Sequence, residues 1–153
     1  MLKAKKGQSK KINGSKLKIG IVVSQFNDNI TGSMLEGALE TFKENKVKDE
    51  NVRIVLVPGS FEIPLACQKL AKTKKFDALV ALGSVIKGET DHYYYICNEV
   101  SRGVMEIMLK FSLPIGFGVL TTQNLKQAEV RSRGKENKGR EAAEAALAMI
   151  DKI

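Results

Sequence analysis

Four short, almost uninterrupted apolar runs punctuate the chain, and between them the apolar positions recur at helical spacing. LKIGIVVS (Leu17–Ser24), VRIVLV (Val52–Val57), FDALVALGSV (Phe76–Val85) and LPIGFGVL (Leu113–Leu120) have the length and β-branched content of strands. After the first comes TGSMLEGALETFKENK, where Leu35, Ala38, Leu39 and Phe42 fall at i, i+3, i+4 and i+7, one face of a helix. A second helix is expected through Ile63 to Lys72 and a third from near Asp91 to Phe111. Helical sequence then runs to the C-terminus, split at VRSRGKENKG (Val130–Gly139), where two glycines sit among charges. Strands that are apolar throughout, alternating with amphipathic helices, predict an α/β domain whose parallel sheet is covered on both faces. In an open parallel sheet ligands bind beyond the carboxyl ends of the strands, so those loops are the place to look for chemistry.

Composition narrows the reading. The 153 residues are 43% hydrophobic and 27% charged, the balance of one globular domain with a sizeable core. The formal net charge of +8 resembles a nucleic-acid signal until it is located. Lys3, Lys5, Lys6, Lys10, Lys11, Lys16 and Lys18 all precede the first strand core, and no acidic residue accompanies them. The rest of the chain is nearly neutral, which disfavours a phosphate-backbone binder and favours a solvated arm. Residues 1–16 are therefore read as a basic flexible arm and 17–153 as a single domain. Cys67 and Cys97 lie in apolar helical settings with no Cys or His at metal-ligand spacing, as expected for reduced, buried thiols and against a zinc site. No apolar run follows the basic N-terminus before the first strand, and none reaches the ~20 residues of a membrane span. The expectation is a soluble cytoplasmic protein that contacts neither membrane nor nucleic acid.

The strand ends carry the candidate chemistry. Strand one ends in SQFND, which places Phe26 in a polar loop. Strand two ends in VPGSFEIP, where Pro58 and Gly59 force a turn and Ser60, Phe61 and Glu62 open a helix; Ser60 would serve there as an N-cap and Glu62 as a first-turn acid. Strand three ends in GSVIKGETDH, in which Gly88, Glu89, Thr90 and Asp91 lead into a helix whose free N–H groups and positive dipole end suit a small phosphate. The GxxxxGK[ST] spacing of a triphosphate-binding loop is missing. His92, the only histidine, occupies the first turn of that helix, where it could move protons near neutral pH. In strand four, Phe117 lies between two glycines, which suggests close packing against another surface. Arg131 and Arg133 flank the break between the last two helices, and a guanidinium is well shaped to grip a phosphate.

These segments occur in the order and spacing of a known family. IVVSQFN, VPGSFEIPLA, LGSVIKGETDHYYYI, FGVLTT, QAEVR and NKGREAA, spread from Leu17 to Ile150, resemble the 6,7-dimethyl-8-ribityllumazine synthases of riboflavin biosynthesis. The resemblance implies a flavodoxin-like, three-layer α/β/α sandwich with a four-stranded parallel sheet, the N-terminal arm adding to a neighbouring subunit's sheet. It implies condensation of 5-amino-6-(D-ribitylamino)uracil with 3,4-dihydroxy-2-butanone 4-phosphate without metal or organic cofactor. By the same resemblance Phe26 stacks on the pyrimidine, Ser60, Phe61 and Glu62 hold the ribityl chain, and Ser84, Val85 and Ile86 read the edge of the ring. Gly88, Glu89 and Thr90 form the phosphate turn and His92 transfers protons. Phe117 and Arg131 come from a neighbouring subunit, Arg131 to bind phosphate, and Lys138 lies near the substrate. A homo-oligomer of pentamers is implied, whether single, paired as decamers or closed as sixty-subunit shells, with riboflavin synthase as a candidate partner. Glu89 stands where the family commonly has a small residue, and SRGKENKG is slightly shorter than the family pattern. The rival reading of a response-regulator-like domain expects an acidic cluster at the end of strand one or a phosphoacceptor Asp at the end of strand three, and neither position supplies one.

Overall fold

A computed structural model describes Gly7 and residues 10–150. Four parallel strands, β1 (Ile19–Ser24), β2 (Val52–Val57), β3 (Ala78–Ile86) and β4 (Ile115–Thr122), form one sheet in the order β2-β1-β3-β4. Five α-helices complete it: α1 (Asp28–Glu44), α2 (Ile63–Lys72), α3 (His92–Phe111), α4 (Leu125–Arg131) and α5 (Lys138–Ile150). The fold is the three-layer α/β/α sandwich expected. The expected second strand coincides with β2, whereas the other three begin two residues early. At β4 the reason is Pro114, which has no N–H to give the ladder, although its carbonyl accepts from Leu79 N–H at 2.8 Å. At β1, Lys18 lies just outside the strand and is held by Asp77, whose carboxylate accepts from Lys18 N–H at 2.8 Å.

Each face of the sheet carries its own core. Ile19, Ile21, Val23, Val80 and Leu82 pack under α1 and α5 with Met34, Phe42, Ala143 and Leu147; Val22, Leu79, Ala81 and Val119 pack under α2 and α3 with Cys67, Val100 and Val104. The buried stripe of α1 is Ile30, Thr31, Met34, Gly37, Ala38, Thr41 and Phe42, so Leu35 and Leu39 lie on its margin and not at its centre. Its two buried threonines are satisfied locally, Thr31 donating to Ser24 O at 2.8 Å and Thr41 to Gly37 O at 3.0 Å. The edge strand β2 departs from the expectation of full cover: Ile54 and Leu56, level with Ile21 and Val23, are exposed. Part of the segment read as an arm is bound to the domain, since Ile12 N–H donates to Asn45 Oδ1 at 2.9 Å and Gly14 N–H to Asn45 O at 2.7 Å. Contacts with the domain thus begin ahead of Leu17, and most of the remaining arm lies outside the described residues.

Helix α5 is seated unusually close. A Cβ on Gly116 would lie 2.0 Å from the Ala142 carbonyl oxygen, and one on Gly139 would lie 1.9 Å from the Met34 carbonyl oxygen. Asn137, buried just before α5, locks the joint: its Oδ1 accepts from Gly139 N–H at 2.8 Å and its Nδ2 donates to Ser33 O on α1 at 2.9 Å. Arg140 then reaches Glu40 and Glu44 of α1 at 2.9 and 3.0 Å. The NKGREAA segment is therefore in large part a helix-docking device. The glycines flanking Phe117 also find their explanation here, because the surface they admit is the chain's own α5.

Candidate functional site

The strand order reverses direction between β1 and β3, and a cleft of about 710 Å³ opens there at the carboxyl ends. The loop after β1 is stitched into place from both sides. Gln25 and Phe26 donate their N–H groups to Val57 O at 2.8 Å and Pro58 O at 3.0 Å, while Asn27 Nδ2 donates to Ser84 O at 2.9 Å. Backbone anchoring leaves the Phe26 ring free, and it is 72% exposed at the cleft. After β2, Ser60–Glu62 forms a short 3₁₀ turn leading into α2. Ser60 does not cap it; the turn is closed by Glu62, whose Oε2 accepts from Gly59 N–H at 3.0 Å. Pro64 at the start of α2 fits its first turn, where a missing N–H costs nothing.

The floor of the cleft is Ser84, Val85 and Ile86 at the end of β3, and its far wall is Gly88, Thr90 and the first turn of α3 with His92. Asp91 precedes α3 without a side-chain cap, so no side chain claims the first-turn N–H groups. The Ser84 hydroxyl is buried with no hydrogen-bond partner, as are those of Ser24 and Thr122 at neighbouring strand ends.

The candidate residues divide into two groups within one chain. Phe26, Ser60, Phe61, Glu62, Ser84, Val85, Ile86, Gly88, Thr90 and His92 share this cleft. Glu89 is exposed and does not line it. Phe117, Arg131 and Lys138 line a separate cleft of about 530 Å³ between β4, α4 and α5. There Arg131 donates to Gln127 O at 3.0 Å and Lys138 pairs with Glu141 at 2.8 Å. Sequence reasoning missed Asn27, Tyr93, Tyr95 and Ile96, all of which line the first cleft. His92, Tyr95 and Ile96 stand at i, i+3 and i+4 on α3, a face the spacing alone could have shown. The three tyrosines have different settings: Tyr93 is buried, whereas Tyr94 and Tyr95 are exposed.

Burial raises the Tyr93 phenol above its usual range, and a hydrogen bond with Thr121 of β4 pulls the other way. The Cys67 thiol, fully buried on the inner face of α2, is pushed up to about 12 by desolvation. Desolvation also raises Cys97, which is only half-buried, contrary to the expectation of two buried thiols. Among the described residues no group of three or more His, Cys, Asp or Glu side chains could hold a metal, and no helix is long and apolar enough to cross a membrane.

A four-stranded parallel sheet in the order 2-1-3-4, layered between helices and with its cleft at the switch point, defines a flavodoxin-like α/β domain with a candidate site at the strand ends. Residues 16–153 match the family model of 6,7-dimethyl-8-ribityllumazine synthase, and the chain belongs to that family.

Proposed function

We propose that the chain condenses 5-amino-6-(D-ribitylamino)uracil with 3,4-dihydroxy-2-butanone 4-phosphate, forming 6,7-dimethyl-8-ribityllumazine and releasing phosphate and water. The reading is carried by one observation: ten candidate residues, from the ends of strands and the segments that follow β1, β2 and β3, gather around one cleft of a chain that belongs to this family. Phe26 offers an exposed ring for the pyrimidine. Glu62 spends one carboxylate oxygen on Gly59 N–H, which fixes the group and leaves its other oxygen for a ribityl hydroxyl. Backbone at Ser84, Val85 and Ile86 reads the edge of the ring. The uncapped start of α3, with Gly88, Glu89 backbone and Thr90, receives the phosphate.

The chemistry needs an amine to attack a ketone, water to leave as the imine forms, phosphate to be eliminated, and the ring to close with a second loss of water. Each step moves protons and none requires a covalent nucleophile. Holding the two substrates in register can supply ~7–11 kcal/mol of the barrier reduction. His92, exposed at the cleft beside the phosphate turn, adds proton transfer worth roughly 10²–10⁴-fold. Phe117, Arg131 and Lys138 belong to a different cleft in the same chain, which supports their delivery by a neighbouring subunit: Phe117 against the bound ring, Arg131 on the phosphate, Lys138 close by. The assembly is a homo-oligomer of pentamers. The uncovered β2 edge, with Ile54 and Leu56 exposed, supports its use by a neighbour's N-terminal arm. Two free thiols support a reducing, cytoplasmic setting.

The test mixes the purified chain with both substrates, follows lumazine absorbance and fluorescence, and sizes the particle by light scattering. Lumazine formation by a particle of five chains or a multiple of five is expected. No product, or an active monomer, would refute the reading.

A further inference from the structure

We propose that Asn27 is a positioning residue that aims the Phe26 ring by tying the β1 loop to the end of β3. The idea rests on the proposed use of the cleft for the pyrimidine and extends it to a residue to which no role has yet been given. Four non-glycine residues among those described have positive φ: Asn27, Lys46, Lys74 and Ser112. The last three follow the carboxyl ends of α1, α2 and α3, where left-handed backbone is an ordinary way to finish a helix. Asn27 stands at the opposite end, the N-cap of α1, where extended backbone is the norm.

Its side chain also forgoes the ordinary capping bond. With φ 58° and ψ 48°, Asn27 makes no side-chain bond to the first turn of α1. Instead Nδ2 donates to Ser84 O at 2.9 Å, across 57 positions of sequence and across the switch point of the sheet. The backbone of Asn27 still serves the helix, its carbonyl accepting from Ile30 N–H at 2.9 Å and Thr31 N–H at 3.0 Å. The side chain is therefore released from helix capping and committed to the cleft. Phe26 is anchored to the turn after β2 through its own N–H and to β3 through the amide of the next residue, so the Cα of an exposed ring is held from two directions. One further consequence is that Ser84 O, on the cleft floor, already has a donor.

Two substitutions separate tether from backbone. Asn27→Gly keeps the left-handed conformation and removes the amide. Asn27→Asp tolerates the same conformation but presents an acceptor to the Ser84 carbonyl. Loss of one net hydrogen bond predicts about a fivefold rise in KM for the pyrimidine substrate in Asn27→Gly, with the KM of the phosphorylated substrate near wild type and Tm lowered by at most about 4 °C. Asn27→Asp should raise the pyrimidine KM further. Unchanged pyrimidine KM in both variants, or an equal rise in both KM values with a falling Tm, would overturn the proposal and leave Asn27 as part of the helix start alone. Hydrogen exchange over residues 25–31 and 84–86 gives a reading independent of substrate identity. Faster exchange confined to those segments supports the tether even if wild type makes no lumazine, in which case it is the functional reading that fails. Wild-type exchange in both variants overturns the tether itself.

Discussion

Gly116→Ala asks how much of the molecule depends on the close seat of α5. The new Cβ would sit 2.0 Å from the Ala142 carbonyl oxygen and 2.7 Å from its carbonyl carbon. Carbon and carbonyl oxygen normally approach to about 3.3 Å, so α5 or β4 must give by roughly 1 Å. Both clashing partners are backbone in regular elements, and no side-chain rotation relieves them. A retreat of that size forfeits about a quarter to a half of each dispersion contact across the gap, and Ala142, Ala143, Ala146 and Leu147 are all buried there. Overpacking typically costs about 1–3 kcal/mol, and the rigid partners place this site near the upper end. For a chain of this length that corresponds to a fall in Tm of about 6–12 °C. The measurement is thermal unfolding by circular dichroism at fixed protein concentration, because assembly makes Tm concentration-dependent. Gly32→Ala is the control: nothing lies within 4 Å of its would-be Cβ, so a gain of about 0.5–1 kcal/mol from helix propensity is expected. A Gly116→Ala midpoint within about 2 °C of wild type would refute the argument that α5 is held in place by backbone contact.

Other outcomes follow from the site. His92→Ala should slow lumazine formation by roughly 10²–10⁴-fold yet leave measurable turnover, and a wild-type rate across the pH range would remove the proton-transfer role. Arg131→Ala should chiefly raise the KM of the phosphorylated substrate, since a lost guanidinium–phosphate pair has no substitute in the pocket; an unchanged KM would sink the assignment. Native protein at pH 8 should react with a thiol reagent at half-buried Cys97 and not at Cys67, with two thiols titrating after unfolding. Because Cys67 is raised from 9.0 to about 12 by burial, its contribution to stability is intact below pH 9 and is lost as pH climbs toward 12. Urea midpoints measured across that range should fall for wild type and fall less for Cys67→Ala.

Much of this was legible in the chain, and the boundary of legibility has a physical cause. Runs such as LKIGIVVS and FDALVALGSV announce buried parallel strands because burial on both faces removes the need for polar alternation. Helix α2 falls on Ile63–Lys72 as its period and Pro64 suggest. The loops around Phe26, Ser60 and His92 could be placed together because the strand order sends all their ends to one rim. What could not be read were contacts made across long sequence separations. Nothing local to Asn27 points to Ser84, nothing local to Asn137 points to Ser33 across 104 positions, and GFG around Phe117 does not name α5 as the surface it admits. Nor does YYY distinguish its members: helix phase buries Tyr93 and turns Tyr94 and Tyr95 outward.

The two faces of the sheet also reach completion at different moments in the life of the chain. The core under α2 and α3 draws on residues from Val22 to Val119, whereas the core under α1 and α5 waits for Ala142, Ala143, Ala146 and Leu147. During synthesis, which runs from the N-terminus, one side of the sheet can close while the other, covered by α1 alone, still lacks the α5 residues that complete it. Nascent chains halted before α5 should therefore bind chaperones through a single face, and the final thirteen-residue helix acts as the cover that ends that exposure.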